Sequence, residues 1–213
     1  MADLADIAAL SWPKRTERLT IRPLTSDDFK VLWQIRRQES VGRWMTSTSS
    51  DWDTFAEMMA GDDRMGKTLV IEREGVVIGD LMIAPEDAWA QVEVADQAKG
   101  VQAEIGWCID PTEEGNGYAT EAVRELIRIA FDELGLRRVI ANAFADNEPS
   151  WRLMERVGMR REVYMVKESL HRSGEWMDGI GYALLAEEWS GQGSRPSSIN
   201  SRDEGPIDGP STG

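Results

Sequence analysis

The chain of 213 residues has one cysteine, Cys108, and one histidine, His171. A single cysteine excludes an internal disulfide and a cysteine-rich metal site, and a single histidine excludes a histidine cluster. Any Ser-His-Asp or Cys-His mechanism would have to run through His171 alone. Bases are also scarce: 24 Lys and Arg against 38 Asp and Glu leave a formal charge of −14. A nucleic-acid binder needs the opposite, a basic footprint. Long apolar runs are missing too. The longest stretch without Asp, Glu, Lys or Arg is Gly179 to Ala186, eight residues, against the roughly 20 apolar residues of a spanning helix. The chain opens Met-Ala-Asp-Leu-Ala-Asp, with acids where a signal peptide carries positive charge. These absences lead to the expectation of a soluble cytoplasmic protein with no metal, no nucleic acid and no membrane partner.

What is present suffices for one domain with a core, at 41% hydrophobic residues. Residues 190–213 hold five Gly, six Ser, three Pro and no aromatic residue, too little apolar surface to offset the ordering of the chain. They read as a flexible tail, either a solvated terminus or a partner-binding peptide. Residues 16–189 then form the domain, and residues 1–15 an N-terminal extension. Residues 61–150 carry 19 acids against 8 bases. Such an excess suits a cationic acceptor such as an amine, and equally a solubilising surface.

Residues 19–24 read as a first strand, and Thr25 with Asp28 as a cap for a helix from about Asp27 to Glu39. A short helix is expected over 52–60, a hairpin from 68–72 and 76–83, and a loop over 85–100. A strand over 101–109 ends at Asp110-Pro111. Then Ala119, Ala122, Val123, Leu126, Ile127, Ala130 and Leu134 recur at helical spacing, up to Gly135. A strand over 138–144, a helix opened by Asn147-Glu-Pro149 and ended at Gly158, and strands over 159–167 and 177–185 follow. The order is β-α-α-β-β-β-α-β-α-β-β, an α/β domain with a mixed sheet.

The segment with chemistry in it is Asp110-Pro-Thr-Glu-Glu-Gly-Asn-Gly-Tyr-Ala-Thr120, between a strand and a long amphipathic helix. Gly115 and Gly117 permit a tight turn and close approach of a ligand. The unpaired amides and dipole of the helix N-terminus favour an anion such as a phosphate. A plain turn with a helix cap reads the same residues. A P-loop needs Lys-Ser or Lys-Thr after its second glycine, where Tyr118-Ala119 stands. The dinucleotide fingerprint needs a third glycine and an acid about 20 residues on; Thr120 and Arg137 stand there instead.

Five stretches in this order resemble the GCN5-related N-acetyltransferases (GNAT superfamily), in the branch of the ribosomal-protein N-terminal acetyltransferases. They are Leu19-Thr-Ile-Arg-Pro-Leu24, Glu104-Ile-Gly-Trp107, Gly115-Asn-Gly-Tyr-Ala-Thr-Glu-Ala122, Asn147-Glu-Pro-Ser150 with Gly158, and Gly174-Glu-Trp-Met-Asp178 through Tyr182 to Trp189. The resemblance spans Thr16 to Trp189. It implies a GNAT fold with a mostly antiparallel sheet splayed in the middle, and the pantetheine arm of acetyl-CoA lying in the splay. Trp107, Cys108 and Ile109 would contact that arm through their backbone, one amide also polarising the acetyl carbonyl. Glu114, Gly115, Asn116, Gly117, Tyr118, Ala119 and Thr120 would present amides to the pyrophosphate, and Asn147 would contact the cofactor further on. Where many relatives carry Gln or Arg, this chain has Glu114.

The implied reaction moves acetyl directly to a primary amine: a protein N-terminus or a small molecule, aminoglycoside-like ones included. Glu104 is the candidate base, sharing a strand face with Gly106 and Cys108; a carboxylate merely satisfied by hydrogen bonds is the alternative. The Tyr that many relatives place seven residues after the asparagine is here Met154. Ser150 matches a serine of this branch, able to bond the leaving thiolate or to cap the helix. Cys108 reads as a small buried strand residue and His171 as a surface residue. Trp33 and Trp44 fall in the region that shapes the acceptor site in relatives, and Asp178 offers an amine a carboxylate. A non-catalytic acetyl-CoA sensor on the same fold is the alternative function. The closing strands offer a surface for a homodimer.

Overall fold

The structure, a computed structural model, describes residues 7–192. Eight strands form one sheet: β1 (Lys14–Arg15), β2 (Thr20–Pro23), β3 (Thr68–Arg73), β4 (Val76–Glu86), β5 (Gln102–Ile109), β6 (Arg138–Phe144), β7 (Arg160–Leu170) and β8 (Trp176–Leu185). Their spatial order is β1-β2-β3-β4-β5-β6-β8-β7. Every neighbouring pair is antiparallel except β5 and β6. That parallel pair is short: only Gln102, Ala103 and Glu104 register with Arg138, Val139 and Ile140. Past Glu104, β5 stays with β4 to Ile109 while β6 stays with β8 to Phe144. The two strands part and the sheet opens, as expected for the splayed fold.

Two cores keep the halves of the sheet in place. On one face, α5 (Tyr118–Arg128) and α6 (Glu148–Arg156) cover Ala103, Ile105, Val139, Ala141, Ile180 and Leu184. On the other, α1 (Phe29–Arg36) and α3 (Trp52–Ala60) bury Leu32, Ile35, Phe55 and Met59 against Val70 and Cys108. The inner strand β3 is apolar on both sides and therefore reads as a continuous run, Leu69-Val-Ile71. Each fully buried Leu or Ile contributes roughly 1.5–3 kcal/mol.

Several elements differ from the sequence expectation. The first helix is a 3-10 turn (Ser26–Asp28) leading into α1, followed by the separate short α2 (Glu39–Gly42); α4 (Asp62–Met65) is also new. The long helix does not stay α-helical to Leu134. It closes with a π-helical turn, Ile129–Glu133, in which Leu134 N bonds Ile129 O at 3.0 Å. The 85–100 loop contains the end of β4 and a 3-10 stretch, Val92–Ala98. Pro85 does not stop β4, because β3 has already ended: Ile83 N bonds Lys67 O, just before the start of that strand. The described residues end in α7 (Ala186–Gln192), so the segment from Ser190 begins within a helix. Residues 193–213 of the expected tail, and residues 1–6, lie outside the described residues. No helix among the described residues is long and apolar enough to cross a membrane.

Candidate active site

The gap is lined by backbone from β5. Asp110 N donates to Ile78 O at 2.8 Å, on the β4 side. The two-residue period of an antiparallel ladder then turns the backbone of Cys108 and Gly106 towards β4 and that of Trp107 and Ile109 towards the gap. Of the three residues expected to meet the pantetheine arm, two therefore offer free N–H and C=O groups. Cys108, opposite Asp80, has its backbone turned to β4.

At the end of β5, Asp110 Oδ1 accepts from Thr112 N (3.0 Å) and Thr112 Oγ1 (2.9 Å), starting the turn Pro111–Glu113. Gly115 and Gly117 have φ of 79° and 81°, a region that only glycine enters freely. Asn116 folds its side chain back, Nδ2 donating to Glu113 O at 3.2 Å. The first bonded helix amide is Glu121 N, to Gly117 O at 3.0 Å. The amides of Tyr118, Ala119 and Thr120 before it have no acceptor within the helix. From the other side Arg18 secures the loop: Nη1 donates to Asn116 O (2.9 Å), Nε to Glu121 Oε2 (2.7 Å), and the guanidinium lies 4.7 Å from the Tyr118 ring. Burial opposes it, but the bonds from Thr16 and Arg18 lower the pKa of Glu121.

A groove of about 1220 Å³ leads from this loop through the gap. Gly115, Gly117, Tyr118, Ala119, Thr120 and Glu114 line it, with Trp107, Cys108 and Ile109; Asn116 does not. The helix α6 adds Asn147 and Ser150. Asn147 stands at the N-cap position, yet its side chain makes no capping bond. Among the described residues the Ser150 hydroxyl likewise has no partner, so the helix-cap alternative for it fails. Two polar side chains at one helix start thus face the groove with their bonding capacity unspent. These features match a nucleotide thioester: free amides for a diphosphate, an open strand edge for an amide-bearing arm, and room for both.

The groove reaches the opposite face of the sheet at Val41, Trp44 and Met45. On that face Glu104 stands where the strands part, half-buried, its Oε1 accepting from Asn142 Nδ2 at 3.1 Å, though it is not among the residues that line the groove. The tip of the β7–β8 hairpin arches over to the turn after α2. His171 Nε2 lies 3.0 Å from Arg43 O, and Arg172 Nη2 donates to Met45 O. Trp44, Phe144 and His171 pack their rings together, with centroids 5.4–6.1 Å apart. His171 is thus half-buried and bridging rather than simply on the surface.

Beneath this site Arg36 and Asp80 form a buried pair that the sequence reading missed. Their exposures are 4% and 2%, and Arg36 Nη2 and Nε reach the two oxygens of Asp80 at 2.5 and 3.1 Å. Burial works to lower the pKa of Arg36, and the charge and hydrogen bonds of Asp80 more than reverse it. Burial, then the charge of Asp80, pushes the Cys108 thiol far above its ordinary range. Such a thiol is inert as a nucleophile.

Two expected acceptor residues are not at this site. Trp33 packs edge-on against Trp52 at 5.8 Å, bonds Ser49 O, and lines no part of the groove. Asp178 alternates with Gly179 and so shares the sheet face of Ile180, under α6. Its carboxylate is occupied by Tyr164 Oη (2.6 Å) and Lys167 N (2.8 Å). Among the described residues no group of three or more His, Cys, Asp and Glu is arranged to hold a metal ion.

The family model of the Acetyltransferase (GNAT) domain matches residues 18–160. The chain belongs to the GNAT acetyltransferases. YdaF of Bacillus subtilis (strain 168), whose provisional name makes it a ribosomal N-acetyltransferase, is 33% identical over 84% of this chain and 97% of that protein. YnaD of the same strain, named an uncharacterized N-acetyltransferase, is 29% identical over 82% of this chain and 98% of that protein. A solved GNAT-family acetyltransferase from Bacillus anthracis matches with a TM-score of 0.69 at 28% identity, over 83% of this chain and 100% of that one. This GNAT chain is an N-acetyltransferase, and the splay, glycine loop and groove are where its geometry concentrates.

Proposed function

We propose that this enzyme transfers acetyl from acetyl-CoA directly to a primary amine, without an acyl-enzyme. One observation supports this most: a single strand, β5, offers unpaired backbone to a gap that continues from the glycine loop, and carries Glu104 where that gap closes. The free amides of the loop take the pyrophosphate, and the backbone of Trp107 and Ile109 takes the pantetheine arm. Asn147 holds the arm from α6. One of the two β5 amides polarises the acetyl carbonyl, a contribution typically about 10²–10³ in rate. Glu104, with one oxygen held by Asn142, takes the proton that the amine loses, directly or through water. As the N–C bond forms and the C–S bond breaks, Ser150 donates a hydrogen bond to the thiolate; the thiolate takes a proton from water, Glu104 returns its own to solvent, and CoA leaves as the thiol.

The acceptor enters under the arch of Trp44, Phe144 and His171. The name of YdaF supports a protein N-terminal amine; a small-molecule amine, aminoglycoside-like ones included, is the other acceptor class. The test is calorimetric titration of acetyl-CoA into the protein and into Gly117→Trp, then a screen of N-terminal peptides and small amines for CoA release. Binding lost in the variant and release with one acceptor class are expected. No binding by the unaltered protein would overturn the reading, and binding without turnover on any amine would leave a sensor instead.

A further inference from the structure

We infer that the groove between α5 and α6 ends in a subsite for the 3′-phosphate of the coenzyme A nucleotide, built from Arg124 and Arg156. This rests on the acetyl-CoA reading above. Asn147, Pro149, Ser150, Leu153 and Arg156 all line the groove, so its wall runs from the N-cap of α6 to the last residue of that helix. Arg124 lies on the facing helix one turn past Thr120, a rise of about 6 Å from the last free amide. A diphosphate on the loop amides therefore sets the attached ribose, and the phosphate on its 3′ oxygen, between these two arginines.

The charges select the same pair. Four arginines line this stretch of the groove, in a chain with a net charge of −14. Two are neutralised: Arg18 by Glu121 at 2.7 Å, and Arg128 by Glu125 and Glu133 at 2.7 and 2.6 Å. Arg124 has no carboxylate partner; its Nη2 donates to the Arg156 carbonyl at 3.1 Å, which holds the guanidinium across the mouth between the helices. Arg156 has no side-chain partner at all among the described residues. Both are exposed, so neither supports the core. Two uncompensated guanidinium groups at one end of a groove are matched to a dianionic phosphate, which they can bond bidentately.

The experiment compares CoA with 3′-dephospho-CoA by calorimetry, on the unaltered chain and on Arg124→Gln, Arg156→Gln and the double variant. The unaltered chain should bind CoA roughly tenfold or more tightly than dephospho-CoA. The double variant should bind the two equally, with its affinity for dephospho-CoA unchanged. Equal binding by the unaltered chain, or a preference that survives in the double variant, would overturn the subsite while leaving the acetyl-CoA reading intact. A parallel fall for both ligands would mean that the arginines only shape the groove. Neither ligand binding the unaltered chain would sink both inferences. Displacement of CoA by adenosine 3′,5′-bisphosphate against AMP repeats the comparison without any variant; equal potency would count against the subsite.

Discussion

Asp80 and Glu104 lie on neighbouring strands, on the same face of the sheet, and have opposite surroundings. Asp80 is fully buried, with a bidentate guanidinium on its two oxygens. Glu104 is half-buried, with one neutral amide on one oxygen. A carboxylate filled by a permanent cation has no free lone pair aimed at a substrate, and it holds α1 to β4. A carboxylate with one neutral partner is oriented and still has an oxygen available. The first is built for architecture, and the second has the surroundings that the proposed proton transfer requires, although both are acids within apolar strands.

Breaking the first should have the largest effect. Asp80→Asn leaves Arg36 buried without its counter-charge and should cost roughly 3–5 kcal/mol of stability, read from denaturant midpoints; a loss under about 1 kcal/mol would erase the contrast. Glu104→Gln should lower turnover roughly hundredfold or more while leaving acetyl-CoA affinity and the unfolding midpoint near those of the unaltered protein. If its stability fell as for Asp80→Asn, Glu104 would belong to the architecture too. Ser150→Ala should reduce kcat roughly tenfold with acetyl-CoA affinity retained, measured in a CoA-release assay at saturating acceptor.

The smallest effect sharpens the contrast through pH. Burial works to raise the pKa of Asp28, but the bonds from Arg22 and Thr25 outweigh it and the net pKa is lowered. Its stabilisation is therefore complete above the ordinary carboxylate range, near pH ~4, and is lost as pH falls through the lower folded value. The destabilisation caused by Asp28→Asn should thus shrink steadily in urea titrations taken below that pH. A penalty independent of pH would contradict the cause assigned to it.

What the sequence disclosed about this site lies within short spans. The strand before Asp110, the two glycines, and the Asn147-Glu-Pro-Ser150 start of α6 are local patterns, and each recurs in the structure with its parts adjacent. The features that escaped are long-range. Arg36 meets Asp80 across 44 positions, and His171 meets Arg43 across 128; no periodicity connects such partners. Short elements escaped for another reason: α2 and α4 have four residues each, barely one turn, too few to show a repeat. Asp178 and Trp33 were misplaced by single steps. One residue along a strand reverses the face, and one along a helix turns the side chain by about 100°, from the buried stripe of Leu32 to the outer side.

The groove passes through the sheet, with α5 and α6 on one side and the Trp44 arch on the other. On the proposed reading, a bulky acceptor docked under the arch would not stand in the path of CoA leaving between the helices. Neither product would then have to wait for the other on steric grounds, and the order of release would be left to their relative affinities.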